Sequence, residues 1–186
     1  MTALPLSLGA CSTVSRYDAD DLVLGRTSTD RLEEIYGRLP PGQEFGRNGL
    51  SFRTYRFLQL MTTSTPRVLG ISAARIRFLT VFDGQLVAKD YSSSLASDHT
   101  DFDEAKLARI QKGLSRRSDI ETLFGPSTGT AIYPYTKEKG QTALLYRYSQ
   151  VSSDFTGSWA FDKSLIITLD TSDLVIDFEY FASGRR

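Results

Sequence analysis

Two stretches of the chain decide the expected fold: residues 22–37, LVLGRTSTDRLEEIYG, and residues 110–125, IQKGLSRRSDIETLFG. They align without a gap, so that Gly25 of the first stretch coincides with Gly113 of the second. Two later pairs of segments also match, with small changes in length: 52–56 with 143–147, and 78–87 with 165–175. Self-similarity at a fixed offset is typical of a duplicated structural unit. We therefore expect two copies of one unit, with 27–36 and 115–124 both helical.

The repeated stretch has the pattern of a short capped helix. Thr27 or Ser28 in the first copy and Ser115 in the second can accept hydrogen bonds from the free amides of a first helical turn. Gly37 and Gly125 stand where a helix ends in a left-handed residue. One apolar stripe follows at i, i+3 and i+4 in each copy: Leu32, Ile35 and Tyr36 in the first, and Ile120, Leu123 and Phe124 in the second.

Alternating apolar residues in 174–181 predict a half-buried strand. Turn residues between apolar runs at 82–86 and 169–174 predict hairpins. Further strands are expected around 50–60, 67–82 and 142–151. Helices ahead of hairpin-connected strands indicate an α+β fold of two tandem repeats, each with short helices packed on an antiparallel β-sheet.

The expected organisation has four parts. Residues 1–18 form a truncated signal and lipid-anchor tail, 19–91 the first repeat, 92–101 a polar linker, and 102–186 the second repeat. Within the second repeat, residues 102–112 are expected to form an additional amphipathic helix.

The motif of the second copy resembles the SmpA/OmlA (BamE-like) lipoprotein family. The resemblance rests on the letters KGLS at 112–115, DI at 119–120 and LFGP at 123–126. The first copy departs from it, because Gly37 is followed by RLPPG at 38–42. The tandem arrangement is similar to the β-lactamase-inhibitor-protein fold, in which two such units form a concave sheet. The resemblance implies a binding protein at the bacterial outer membrane, facing the periplasm, and it carries over no catalytic residue.

The only cysteine, Cys11, follows Leu8-Gly9-Ala10. An apolar residue and two small residues before a cysteine resemble a bacterial lipobox, whose thiol accepts a diacylglycerol. No lysine or arginine precedes Cys11, although a secretory signal normally starts with one. We expect Cys11 to be a lipidation site and the membrane contact of the protein, exposed and preceded by a poorly ordered tail. The alternative is a free thiol in a frayed terminus.

Composition argues against several classes of function. Lysine plus arginine and aspartate plus glutamate number 22 each, so the basic excess typical of a nucleic-acid binder is missing. No apolar run reaches the roughly 18 residues of a spanning helix. The single histidine, His99, lies in the polar linker, and the nearby carboxylates, Asp98, Asp101, Asp103 and Glu104, fit a solvated loop better than a metal site. We expect no catalytic residues, metal or cofactor.

Aromatic and arginine side chains are the expected partner-binding residues, because such side chains anchor protein interfaces. Four residues form the candidate set: Tyr133, Tyr135, Arg147 and Trp159. Tyr135, Trp159 and Arg147 are expected to be at least partly exposed, and Ile120 and Leu123 to be buried.

The sequence therefore predicts a non-catalytic cell-envelope lipoprotein that binds or assembles with an envelope protein partner. One alternative is a periplasmic or secreted protein that inhibits an enzyme. Another is an enzyme of unknown type. A retained acyl group on Cys11 favours the lipoprotein, and a soluble mature protein favours the inhibitor.

Overall fold

The computed structural model describes residues 21–65, 68–154 and 157–184. Two α-helices lie in this part of the chain, α1 at Thr29–Tyr36 and α2 at Arg117–Phe124. Two 3-10 helices follow the fourth strand, at Ala96–Asp98 and Glu104–Arg109. The eight strands are β1 Gln43–Arg47, β2 Leu50–Thr65, β3 Val68–Phe82, β4 Gln85–Ser93, β5 Gly129–Ile132, β6 Thr142–Asp154, β7 Gly157–Leu169 and β8 Val175–Gly184.

The strands form one antiparallel sheet in chain order, from β1 to β8, and the expectation of an α+β fold of two tandem repeats is wrong. The fold is mainly β: each α-helix has only eight residues, whereas β2 alone has sixteen. The sheet continues from one copy of the repeat to the other because Ala88 and Lys89 of β4 pair with Ala131 and Thr130 of β5.

Helices in both repeated stretches are confirmed, although each begins two residues later than expected. The loop before α1 is held to the β3–β4 hairpin, because Gly25 N donates to Leu86 O and Leu86 N donates to Thr27 O, each at 2.8 Å. The same two bonds recur before α2, through Gly113, Val175 and Ser115. The sequence duplication is thus visible as a duplicated loop-to-hairpin contact.

The caps of the two helices differ. Ser28 caps α1 by accepting a hydrogen bond from Arg31 N at 3.2 Å. Ser115 does not cap α2, since its hydroxyl accepts from Gln111 N in the preceding loop. At α2 the Asp119 carboxylate accepts from Arg116 N instead, at 2.8 Å. Thr27, the equivalent of Ser115 in the first copy, likewise accepts a hydrogen bond from Val23 N in the loop, at 2.9 Å. This shared position therefore shapes the loop, whereas Ser28 caps the helix.

Both α-helices pack on the same face of the sheet, which we call the helix face. Leu32 of α1 and Ile120 of α2 are fully buried there, each within its own apolar cluster. Leu123, which was expected to be buried, is only half-buried. The expected helix at 102–112 is a six-residue 3-10 helix between two buried anchors, Phe102 and Ile110.

The opposite face of the sheet is concave. Small buried side chains lie at its centre, where Ala88, Ala131 and Ala143 stand side by side on β4, β5 and β6. Alanines leave room for neighbouring strands to bend toward each other, and irregularities in the β2–β3, β3–β4 and β7–β8 registers add local twist. As a result, side chains of strands that are not neighbours in the sheet meet on this face.

The segment between β4 and α2 is tied to both halves of the sheet on the helix face. Arg75 of β3 forms a bidentate ion pair with Asp98, with both distances at 2.7 Å. Lys163 of β7, whose side chain is 2% exposed, pairs with Asp101 at 2.6 Å and also donates to Phe102 O. One cation from each half therefore holds this segment across the sheet, and Ser92 and Ser93 of the expected linker are buried in β4.

Protonation of Asp98 is expected to destabilise the protein in acid. The hydrogen bonds from Arg75 hold the pKa of Asp98 well below its usual range. A carboxyl group whose pKa is lowered in the folded state adds stability above its unfolded pKa of about 4 and loses it as the pH falls. Asp98→Asn should therefore flatten the fall in unfolding free energy between about pH 5 and about pH 2, measured by urea denaturation. Asp83→Asn, at an exposed hairpin position, is the control and should keep the slope of the parent protein.

Candidate binding groove on the concave face

One row of side chains crosses the concave face from β2 to β8. Register places Arg56 of β2 opposite Phe78 of β3, and Phe78 opposite Asp90 of β4. On the other half, Arg147 of β6 lies opposite Ser164 of β7, which lies opposite Phe181 of β8. We call these six residues the concave row: Arg56, Phe78, Asp90, Arg147, Ser164 and Phe181.

An ion pair joins the two halves of the concave row. Arg147 Nε donates to Asp90 Oδ2 at 2.5 Å, beyond the end of the four-residue strand β5. Asp90 Oδ1 accepts from the Thr128 hydroxyl at 2.9 Å and from Tyr91 N at 2.8 Å. The Asp90 side chain is 4% exposed. Its carboxylate is thus desolvated, and three donors compensate for the lost water.

Two guanidinium groups contact the ring of Phe78. The Cζ atom of Arg147 lies 4.3 Å from the ring centroid, and that of Arg56 lies 5.7 Å from it. Both distances are within the range of attractive cation–π contacts. Burial disfavours the charge of Arg147, but the attraction and hydrogen bond of Asp90 outweigh it and raise the pKa of the guanidinium. Arg147 therefore stays charged at the base of the groove.

The groove has one closed end. There, Tyr135 fits against Phe45 and Phe52, with ring centroids 6.4 and 6.0 Å away. Arg47 of β1 covers the Tyr135 ring at 4.7 Å and forms an ion pair with Glu179 of β8 at 2.5 Å, which links the two edge strands. The cavity between this end and the open side has a volume of about 480 Å³, which is in the range of small-ligand and side-chain pockets.

The expected partner-binding residues differ in their exposure to solvent. Tyr135 is 6% exposed and packs in the core, so its expected exposure is wrong; the ring fills the space above the small alanines. Arg147 lines the groove and is partly exposed, as expected. Tyr133 is exposed on the loop before β6. The side chain of Trp159 lies outside the described part of the structure, and so does Cys11.

Two further groove residues, Arg56 and Asp90, lie outside the candidate set of four. Arg56 follows the same expectation of arginines beside aromatic residues, and the structure exposes it on the face of β2 that also carries Thr54 and Leu58. Asp90 gave a weaker signal, as a lone carboxylate in a buried strand. Its pairing with Arg147 joins the two copies of the repeat, so neither copy alone predicts it.

The carboxylates between the two copies have separate protein partners. Asp98 binds Arg75 and the Tyr91 hydroxyl, and burial together with this hydrogen bond raises the pKa of Tyr91 to about 12. Asp103 caps the 3-10 helix, and Glu104 accepts a hydrogen bond from the Tyr180 hydroxyl. His99 is exposed at the end of the first 3-10 helix. These groups stabilise loops and do not converge on one point.

Within residues 21–65, 68–154 and 157–184, no helix is both long and apolar enough to cross a membrane.

No protein-family model, curated protein or solved structure matches this chain.

Proposed function

We propose that the protein is a non-catalytic binding module of the bacterial cell envelope, which holds an envelope protein on the concave face of its sheet. The proposal includes lipidation of Cys11 and a position at the outer membrane, facing the periplasm. The LGAC pattern at 8–11 supports the anchor. The concave row supports the binding face.

The main support for the proposal is that charged and apolar side chains are exposed together in the groove. Phe181 is 65% exposed on the edge strand β8, and Arg56 is exposed on β2, at the other side of the groove. Exposed aromatic and arginine side chains around a concavity are the usual anchors of protein recognition. Here both are fixed to strands, so they are presented without the entropy cost of ordering a loop.

Photo-cross-linking from the groove tests the binding face. A photoreactive phenylalanine analogue at position 181 is expected to capture a defined protein from native envelopes. The same analogue at position 23 is the matched control, because Val23 is also exposed, at 49%, but precedes α1 on the other side of the molecule. Adducts of equal yield from both positions would mean non-specific contact and would contradict the proposed face.

Fractionation tests the proposed anchor separately. The parent protein is expected in the membrane fraction with a diacylglycerol adduct on Cys11, and Cys11→Ser in the soluble fraction. A soluble, unmodified parent protein that still gives the adduct from position 181 would contradict the anchor and favour the periplasmic or secreted inhibitor.

A further inference from the structure

We infer that the centre of the groove is a carboxylate subsite, in which Arg56 and the free edge of Arg147 receive an aspartate or glutamate side chain of the bound protein segment. The inference rests on the proposed function, since it names the chemistry of the partner at the same face.

The two arginines have unused donors. A guanidinium carries five N–H groups. The Nε of Arg147 donates to Asp90, and the Nη groups of Arg147 have no hydrogen-bond partner among the described residues. These groups lie at the groove, which Arg147 lines. Arg56 has no carboxylate partner in the described part of the chain. Its guanidinium makes a cation–π contact with the ring of Phe78. Two planar sets of donors thus flank one aromatic ring.

The nearby carboxylates do not satisfy these donors. Asp90 already accepts three hydrogen bonds and is almost fully buried, so its charge is committed to Arg147, Thr128 and the backbone. Asp162 also lines the groove, is exposed and attracts the Arg147 guanidinium electrostatically, but it lies one row further along β7, opposite Ser149, and forms no ion pair with either arginine among the described residues. Arg56 is therefore the exposed charge of the concave row itself, and a carboxylate complements it.

The surroundings of the arginines favour a peptide that places apolar side chains beside its carboxylate. Leu145 and Phe45 line the groove toward its closed end, and Phe181 lies exposed at the β8 side. Leu58 continues the β2 side, one row beyond Arg56, and is 55% exposed. An extended segment with an acidic residue between two apolar ones would match this order of surfaces.

A pair of blocked tripeptides tests the subsite. The first is phenylalanine–glutamate–phenylalanine, and the second has glutamine in place of glutamate. In titrations followed by amide NMR at neutral pH, the glutamate peptide is expected to shift resonances of the concave row and to bind about tenfold more tightly than the glutamine peptide, because charge-assisted hydrogen bonds are the stronger kind.

Variants on the two faces of β2 assign the effect. Arg56→Gln should remove the preference for glutamate, whereas Arg53→Gln, on the helix face of the same strand, should keep it. Asp162→Asn should strengthen binding of the glutamate peptide a few-fold, since a nearby like charge is removed. Arg147 is left unchanged in these tests because its ion pair supports the fold.

Three outcomes would overturn the inference: equal binding of the two peptides, a glutamate preference that survives Arg56→Gln, or no shifts in the groove at millimolar peptide. Binding of free phenylacetate without binding of the glutamate peptide would also overturn it, because the site would then serve a small acid rather than a protein segment. The proposed function fails separately, if cross-linking from position 181 captures no defined protein.

Discussion

Replacing Ile120 with alanine is expected to lower the free energy of unfolding by about 2–5 kcal/mol, the usual cost of a buried aliphatic truncation. Ile120 is fully buried, in the cluster that joins α2 to β6 and β7. The substitution removes apolar contacts and leaves a cavity that a short helix fixed by its flanking loop cannot close. Urea denaturation followed by circular dichroism measures the change.

Leu123→Ala is the matched control on the same helix. Because Leu123 is only half-buried, its truncation is expected to cost about 1 kcal/mol. An equal loss for both variants would show that the two side chains are buried alike and would contradict the orientation of α2.

Arg147→Ala is expected to destabilise the protein by about 3 kcal/mol, at the lower end of the range for breaking a buried ion pair. The change leaves the Asp90 carboxylate, 4% exposed, without its counter-ion. Two remaining donors, Thr128 and Tyr91 N, limit the loss. The measurement is again the unfolding free energy in urea.

Arg31→Ala is the control for this second prediction, because Arg31 forms an ion pair with Glu34 in which both side chains are more than half exposed. Such surface pairs contribute about 0–1 kcal/mol. A double-mutant cycle of Asp90→Asn with Arg147→Gln should give a coupling energy above about 1 kcal/mol. Additive effects in that cycle would mean that the pair does not join the two halves of the sheet.

Local elements of the fold could be predicted from the sequence, because their causes are local. The apolar stripes that contain Leu32 and Ile120, with their capping residues, predicted both α-helices. The turn residues at 82–86 and 169–174 predicted two hairpins, and the structure confirms the helices and the hairpins. The joining of the two copies could not be predicted in this way. It depends on two residue pairs between β4 and β5, and β5 has only four residues with no strong alternation.

The candidate site was predictable only in part, for a related physical reason. Arginine and aromatic residues were expected to form the binding surface, and Arg147 does line the groove. Tyr135 satisfies the same compositional rule but is buried, since the curvature of the sheet creates a space that its ring fills. Which aromatic side chain is a core residue and which is an anchor depends on that curvature, and composition does not encode it.

The most direct test of the groove as the binding face compares two charge reversals on β2. Arg56→Glu places a negative charge in the concave row, and Arg53→Glu places the same charge on the helix face, three positions away along the same strand. The measurement is the yield of the adduct between the position-181 cross-linker and its partner protein in native envelopes. This yield is compared between each variant and the parent protein. If the groove is the binding face, Arg56→Glu should lose nearly all of this adduct, and Arg53→Glu should keep it close to the parent level. Equal retention by both variants, with both folded, would rule out the groove as the binding face.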